Sequence, residues 1–396
     1  MNAKTPTMPY ASALSRLGTE TAFVVLARAK ALEAQGKDIV HLEIGEPDFD
    51  TPGHIIAAAK KALDEGFTHY GPSAGLPEMR QAVADYVSKF RKISVEPAQV
   101  VVQPGGKPTL FYSMLATINP GDEVIYPNPG FPIYESVINY LGAVAVPLAL
   151  PESREFRFDL DDLARLITPK TRMIIINSPQ NPTGGMLTAA DLKGIADLVR
   201  GKPIWVLADE IYSEIIYDGE HHTILSEPGM QDQTILLEGF SKTYAMTGWR
   251  LGYGVMPKEL AGWVAQLATN CHSCTATFVQ KAGIAGLTGP RDAVHAMVKE
   301  FRARRDRVVA GLNQIPGLSC VMPHGAFYAY PNVTAVGVPS EELAQRCLDE
   351  AGVAVLSGTA FGRFGQGYLR LSYANSLPNI EKALDRLDSL VRKIRK

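Results

Sequence analysis

"MIIINSPQNPTGG", Met173 to Gly185, joins two signals that together decide the fold. Its first part is an unbroken apolar run with no period-two alternation, the pattern of a strand covered on both faces. Its second part is a cluster of Asn, Ser, Pro and Gly that forces a turn. The same sequence of events recurs along the chain. "VVVQ" at 100–103 leads into "PGGKPT", "EVIYP" at 123–127 into "NPGF", "IWVLAD" at 204–209 into "EIY", and "TILLEGF" at 234–240 into "SK". Two further runs, "AVAVPL" at 143–148 and "LGYGVM" at 251–256, bring the expectation to an α/β fold, with a mostly parallel sheet of about seven strands wrapped by helices. In open parallel sheets the ligand crevice lies beyond the carboxyl ends of the strands. The chemically unusual residues of this chain therefore collect on one edge.

The totals point to a soluble protein whose partner is small. In 396 residues, 39 Lys and Arg oppose 41 Asp and Glu, a balance that points away from nucleic acid and from anionic membrane surfaces. Four cysteines are too few for a disulfide framework, and no leader-like or membrane-spanning apolar run stands out, so the expected location is the cytoplasm. Met1 to Tyr10 reads as an arm that is flexible or orders against a partner subunit. Apolar spacing predicts a helix over 20–35, stopped at Gly36. From about Gly289 a long basic amphipathic segment, short strands at 318–330 and 353–356 and a closing helix from Leu377 predict a smaller α+β unit. The expected division is 1–48 with that small domain, 49–288 as the large domain and 289–396 as the small one. "RARRDR" within the long helix reads as a solvated face.

Taken singly, the residues on the sheet edge have plain readings. Gly105 and Gly106 suit an ordinary strand-to-helix turn as well as a phosphate cradle of N–H groups. Neither a Walker loop nor a dinucleotide fingerprint fits, because Pro108 follows Lys107 and "GYGVMP" lacks a third glycine. Asn181 suits a turn, Asp209 a helix cap, Tyr212 and Phe131 core packing. Lys242, at the end of an apolar run, is either a snorkelling surface residue or an amine wanted for chemistry, since an isolated buried charge is costly. The "CHSC" at 271–274 has no second pair and reads as neither redox nor zinc motif.

In combination, an amine able to form a Schiff base, a carboxylate, a phenol, an amide, a phosphate cradle and an arginine match the needs of a phosphorylated pyridine aldehyde. With "GEPDFDTP", "HYGPSAGLPEMR", "NPTGG", "DEIY", "GFSKTYAMTGWRLGYG" and "YLRLSYA" in order, the chain from about residue 14 to its end resembles the class I/II aminotransferases. The resemblance is to the bacterial aspartate and aromatic subgroup of the fold-type-I pyridoxal-phosphate enzymes. It implies that Lys242 carries the cofactor as an aldimine and then moves the substrate proton, that Asp209 pairs with the pyridine nitrogen, and that Asn181 and Tyr212 bond the ring oxygen. It implies further that Phe131 stacks on the ring. The phosphate is then held by Gly105, Gly106, Lys107, Ser241 and Arg250, with Tyr70 reaching the phosphate of a neighbouring subunit in a homodimer. Arg370, helped by Gly45 and Asn181, would clamp the α-carboxylate. Gly239 stands where many relatives have a serine, which weakens the case for Ser241 as a phosphate ligand.

The resemblance implies transfer of an amino group from an L-amino acid to a 2-oxo acid, with 2-oxoglutarate as acceptor. Lys107 matches a position that reaches a distal carboxylate, whereas Phe23 and Val24 favour apolar substrates, so acidic and apolar donors both remain open. Ser273 is expected near the cofactor of the neighbouring subunit. C–S β-elimination on the same fold and a cofactor-binding regulator without turnover are the alternatives. The regulator would need a DNA-binding domain ahead of "GEPDF", for which the sequence leaves no room.

Overall fold

The computed structural model describes residues 8–396. The arm expected at Met1 to Tyr10 thus lies mostly outside the described residues. Seven strands form the main sheet: β1 (Val100–Gln103), β2 (Glu123–Asn128), β3 (Val144–Ala149), β4 (Thr171–Asn177), β5 (Trp205–Asp209), β6 (Thr234–Gly239) and β7 (Gly252–Val255). Their spatial order is β1-β7-β6-β5-β4-β2-β3. Only β7 runs against its neighbours, so the other six share one direction. The unbroken apolar runs follow from cover on both faces. Successive residues of β6 illustrate it: Ile235 and Leu237 join one buried cluster and Leu236 a second. Val144 and Pro147 lie on β3, which pairs only with β2 and so tolerates a proline and a half-exposed valine.

A second cluster of buried residues gathers the helices Asp292–Leu312 and Leu377–Ile394 with the strands Tyr328–Ala329 and Leu369–Ser372. Val40 and Leu42 pack into it, and Val40 pairs in parallel with Val353. The early helix spans Thr21–Glu33, with Gly36 beyond it at φ +86. Among the described residues no helix is long and apolar enough to cross a membrane.

The basic run of the long helix departs from expectation. Arg304 and Arg305 are buried, not solvated. Arg304 bonds Asp48 at 2.6 Å and Glu300 at 3.0 Å, and Arg305 pairs with Asp218 and Asp306 while its guanidinium covers the Tyr217 ring at 4.8 Å. Acids from outside the helix turn these two arginines inward, and a charge count along the helix is blind to them.

Beneath the site edge lies a buried ion network. Arg91 reaches Glu210, next to the end of β5, and Glu238 in β6, each at 2.8 Å. Glu210 also takes His221 at 2.7 Å and Thr223 at 2.6 Å, while Glu238 accepts from Ser213 at 2.7 Å and Tyr253 at 2.8 Å. Burial opposes the charge of Glu210, but Arg91 and His221 outweigh it and hold its carboxyl down at about 2. Arg91→Leu leaves Glu238 buried without a cation and Glu210 with only His221, and is expected to cost about 3–5 kcal/mol in urea unfolding. A loss below about 1 kcal/mol would show that the network does not hold the two strand ends.

Candidate active site

Lys242, Ser241, Asp209, Asn181 and Gly106 all follow or end strands of the shared direction, so the sheet brings them to one edge. β7 starts at that edge because it runs the other way, and this adds Arg250 from the opposite chain direction. The edge borders a cavity of about 530 Å³. Of the thirteen residues singled out in the sequence, eleven line it: Gly45, Gly106, Lys107, Phe131, Asn181, Asp209, Tyr212, Ser241, Lys242, Arg250 and Arg370. Gly105 does not line it, and Tyr70 stands apart, 88% exposed. Ser273 is exposed as well and does not line the cavity.

Lys242 donates to the carbonyl of Gly45 at 2.5 Å, and its ammonium lies 5.8 Å from the Phe327 ring and 6.0 Å from that of Tyr212. Burial pushes the amine down to about 8, with Arg370 and Lys107 adding repulsion and Glu46 and Glu20 partly opposing it. A side chain at Gly45 would collide with the Tyr328 hydroxyl, which explains the glycine.

Asp209 closes β5 and is buried. Its carboxylate accepts from the Tyr134 hydroxyl at 2.6 Å and from the Ile211 N–H at 3.2 Å, while burial raises its pKa to about 6. The segment after it is a turn, not the helix expected there, because the Ile211 N–H is taken by Asp209 and the chain doubles back at Glu210. The turn sets the buried Tyr212 hydroxyl 2.7 Å from that of Tyr328. Burial keeps Tyr212 protonated far above its ordinary range.

Asn177, absent from the sequence reading, organises the next stretch. Its amide donates to the Asp209 carbonyl at 2.9 Å and accepts from the Asn181 N–H at 2.9 Å. Asn181 in turn accepts from Arg370 at 3.3 Å. The Arg370 guanidinium is buried, lies 4.6 Å from the Tyr328 ring and 4.8 Å from that of Phe361, and bonds the Glu43 backbone carbonyl. Its Nε is buried without a hydrogen-bond partner, and among the described residues no carboxylate comes within 4.0 Å of it. Tyr134, Asn177 and Tyr328 lack sequence signals of their own, since each resembles an ordinary residue of a buried segment.

At the far end, Gly105 precedes the helix Gly106–Thr117 with φ +99. Its own N–H is used on the Gln103 carbonyl at 2.8 Å, so the cradle's free donors begin at Gly106, where a helix leaves its first N–H groups unpaired. A Cβ on Gly105 would strike the Arg250 guanidinium, and Arg250 has φ +56, a strained value for arginine. Gly239 also has a structural cause. It pairs with Gly252, whose Cα would sit 3.0 Å from an added Cβ. The cross-strand fit thus leaves little room for a serine there.

On the side nearest the early helix, Val24 does not line the cavity as expected, because helical rotation turns it outward; Glu20, Thr21, Ala22 and Phe23 do. Lys107 is paired with Glu20, and its ammonium lies 5.6 Å from the Phe131 ring. The Cys271 and Cys274 thiols are free, and Cys274 accepts from the Gly71 N–H at 3.4 Å.

Comparison with known proteins agrees with this geometry. The family described as aminotransferase class I and II matches residues 37–387, and the chain belongs to it. Over 360 residues it is 42% identical to an aspartate aminotransferase of Pyrococcus abyssi, covering 90% of this chain and 92% of that protein. It is also 40% identical over 364 residues to aromatic-amino-acid aminotransferase 2 of Thermococcus litoralis, covering 91% and 93%. The solved aspartate aminotransferase from Thermus thermophilus with maleate is 36% identical, with a TM-score of 0.93 over 97% of this chain and 100% of that one. The chain is thus an enzyme of amino-group transfer with the fold-type-I architecture.

A lowered amine pKa has a direct reporter. In the cofactor-free protein, acylation of Lys242 by a small reagent, followed by peptide mapping, should rise with a midpoint near pH 8. A midpoint at the ordinary lysine value of about 10.4 would contradict the burial effect.

Proposed function

We propose that this member of the class I and II aminotransferases moves the amino group of an L-amino acid to a 2-oxo acid, with 2-oxoglutarate as common acceptor, using pyridoxal 5'-phosphate. The observation that carries the reading is Arg370, a buried guanidinium whose partners are a backbone carbonyl and an amide oxygen, in one cavity with an amine of lowered basicity. A substrate α-carboxylate completes this arginine with a bidentate pair. The Gly45 N–H adds a second contact to the same group.

The donor set fits the cofactor: a helix N-terminus and Arg250 for a dianion, a buried carboxylate for a protonated ring nitrogen, and an amine that is partly neutral near pH 8. When bound, pyridoxal phosphate supplies an aldehyde that condenses with amines and a ring that withdraws electrons from the substrate α-carbon. Asp209, ionised above about pH 6 and fixed by Tyr134, holds a proton on the ring nitrogen. Tyr212 and the amide of Asn181 donate to the ring oxygen, and Phe131 covers a ring face. The N–H groups of Gly106 and Lys107, the Ser241 hydroxyl and Arg250 hold the phosphate. The Lys242 amine would take the proton from the α-carbon of the donor and pass it to the former aldehyde carbon of the cofactor, and in the second half-reaction would carry a proton the opposite way, to the α-carbon of the acceptor.

A homodimer completes the site, with the exposed Tyr70 reaching the second subunit's phosphate, and the exposed Tyr10, Leu14 and Leu17 add apolar surface for such a contact. Residues 49–288 bind the cofactor and lend Asn181 to the carboxylate clamp, whose Arg370 and Gly45 come from 289–396 with 1–48. Four free thiols fit the reducing cytoplasm.

The test is a panel of amino donors against 2-oxoglutarate with the wild type and Arg370→Ala. Wild-type protein loaded with the cofactor should transfer amino groups, and Arg370→Ala should lower kcat/KM about a hundredfold or more for every donor, in line with roughly 2–5 kcal/mol for truncating one side of a buried charge pair. Loss confined to one donor class would remove Arg370 from the α-carboxylate. No transfer from any donor would overturn the reading.

A further inference from the structure

The Lys107–Glu20 pair lies in the wall of the same cavity as Lys242 and Arg370. Glu20 sits at the N-cap position of the helix Thr21–Glu33, yet its side chain makes no capping bond and is given to Lys107 instead. It is also the better buried of the two, its side chain 17% exposed against 49% for Lys107. The surrounding wall is apolar, with Phe23, Ile44, Leu110, Phe131 and Phe361 lining the cavity. A bare ammonium here would favour a substrate with a second carboxylate and disfavour an apolar side chain. With Glu20 beside it, that end of the cavity is neutral.

We propose that Glu20 sets the side-chain specificity of this enzyme as the exchangeable counter-ion of Lys107. It keeps the wall neutral when an apolar or aromatic amino acid is bound, and it yields Lys107 to the distal carboxylate of a dicarboxylic substrate. The exchange is cheap because the Lys107 end of the pair is half exposed, and such pairs contribute little on their own. One cavity then serves a neutral donor in one half-reaction and a dicarboxylic acceptor in the other. The carboxylate that yields also repels the incoming one, so Glu20 holds down affinity for dicarboxylates. The proposal rests on the assignment of Arg370 to the α-carboxylate, which fixes the other end of the substrate.

The experiment compares wild type, Glu20→Gln and Lys107→Gln as holoenzymes, with two non-reacting acids, succinate and butyrate, and two donors, glutamate and phenylalanine. In Glu20→Gln the preference for succinate over butyrate, as a ratio of dissociation constants, should rise about tenfold or more, and the glutamate-to-phenylalanine ratio of kcat/KM should rise with it. In Lys107→Gln both ratios should fall. Ratios unchanged in Glu20→Gln, or falling, would overturn the proposal. A rise in the succinate ratio with no turnover of any donor would support the role of Glu20 while removing the amino-transfer reading on which the wider account stands.

Discussion

A guanidinium taken out of water needs more than a backbone carbonyl and an amide oxygen to offset its desolvation, and Arg370 has only those and two aromatic rings. Burial accordingly pushes its pKa down, although no ordinary pH discharges it. Much of the surrounding architecture holds this charge in place. The strand Leu369–Ser372 fixes its backbone by pairing with Tyr328–Ala329, Tyr328 stacks beneath it, and Tyr212 steadies Tyr328 from the far side. An arginine kept in this condition suits the carboxylate proposed for it, and the binding energy of such a carboxylate would be available for orienting the rest of the substrate.

The opposite end of the cavity is built from close backbone approach. Gly239 faces Gly252 across the sheet, Gly252 backs onto the Gly105–Gly106 turn, and Gly105 leaves room for Arg250. These glycines let β1, β6 and β7 bring a helix N-terminus, a lysine-bearing turn and an arginine together. Beneath them the network of Arg91, Glu210 and Glu238 ties the segments that carry Asp209 and Lys242, so the two side chains proposed to act on the cofactor rest on one base.

The sheet was legible because its strands are covered on both faces and thus written as continuous apolar runs, with turn residues marking each end. The site was legible where a polar residue follows such a run directly, as Lys242, Asp209 and Asn181 do. Legibility failed where function depends on tertiary partners. Asn177 and Tyr134 look like the end of a strand and a core aromatic, and only the folded chain shows that they fix Asn181 and Asp209. Arg304 and Arg305 read as solvent-facing because Asp48 and Asp218, which bury them, lie far away in the sequence. Glu20 was passed over for a similar reason: nothing local marks a glutamate at a helix start as the partner of a lysine 87 residues on. Gly239 read as a missing hydroxyl, whereas the structure gives it a packing cause.

Lys242 is the amine proposed to anchor the cofactor covalently. The most direct test is reduction of the cofactor-loaded protein with borohydride, followed by peptide mapping of the pyridoxyl group. One labelled residue per chain is expected, at Lys242. Label distributed over surface lysines, or fixed on Lys107 instead, would contradict it.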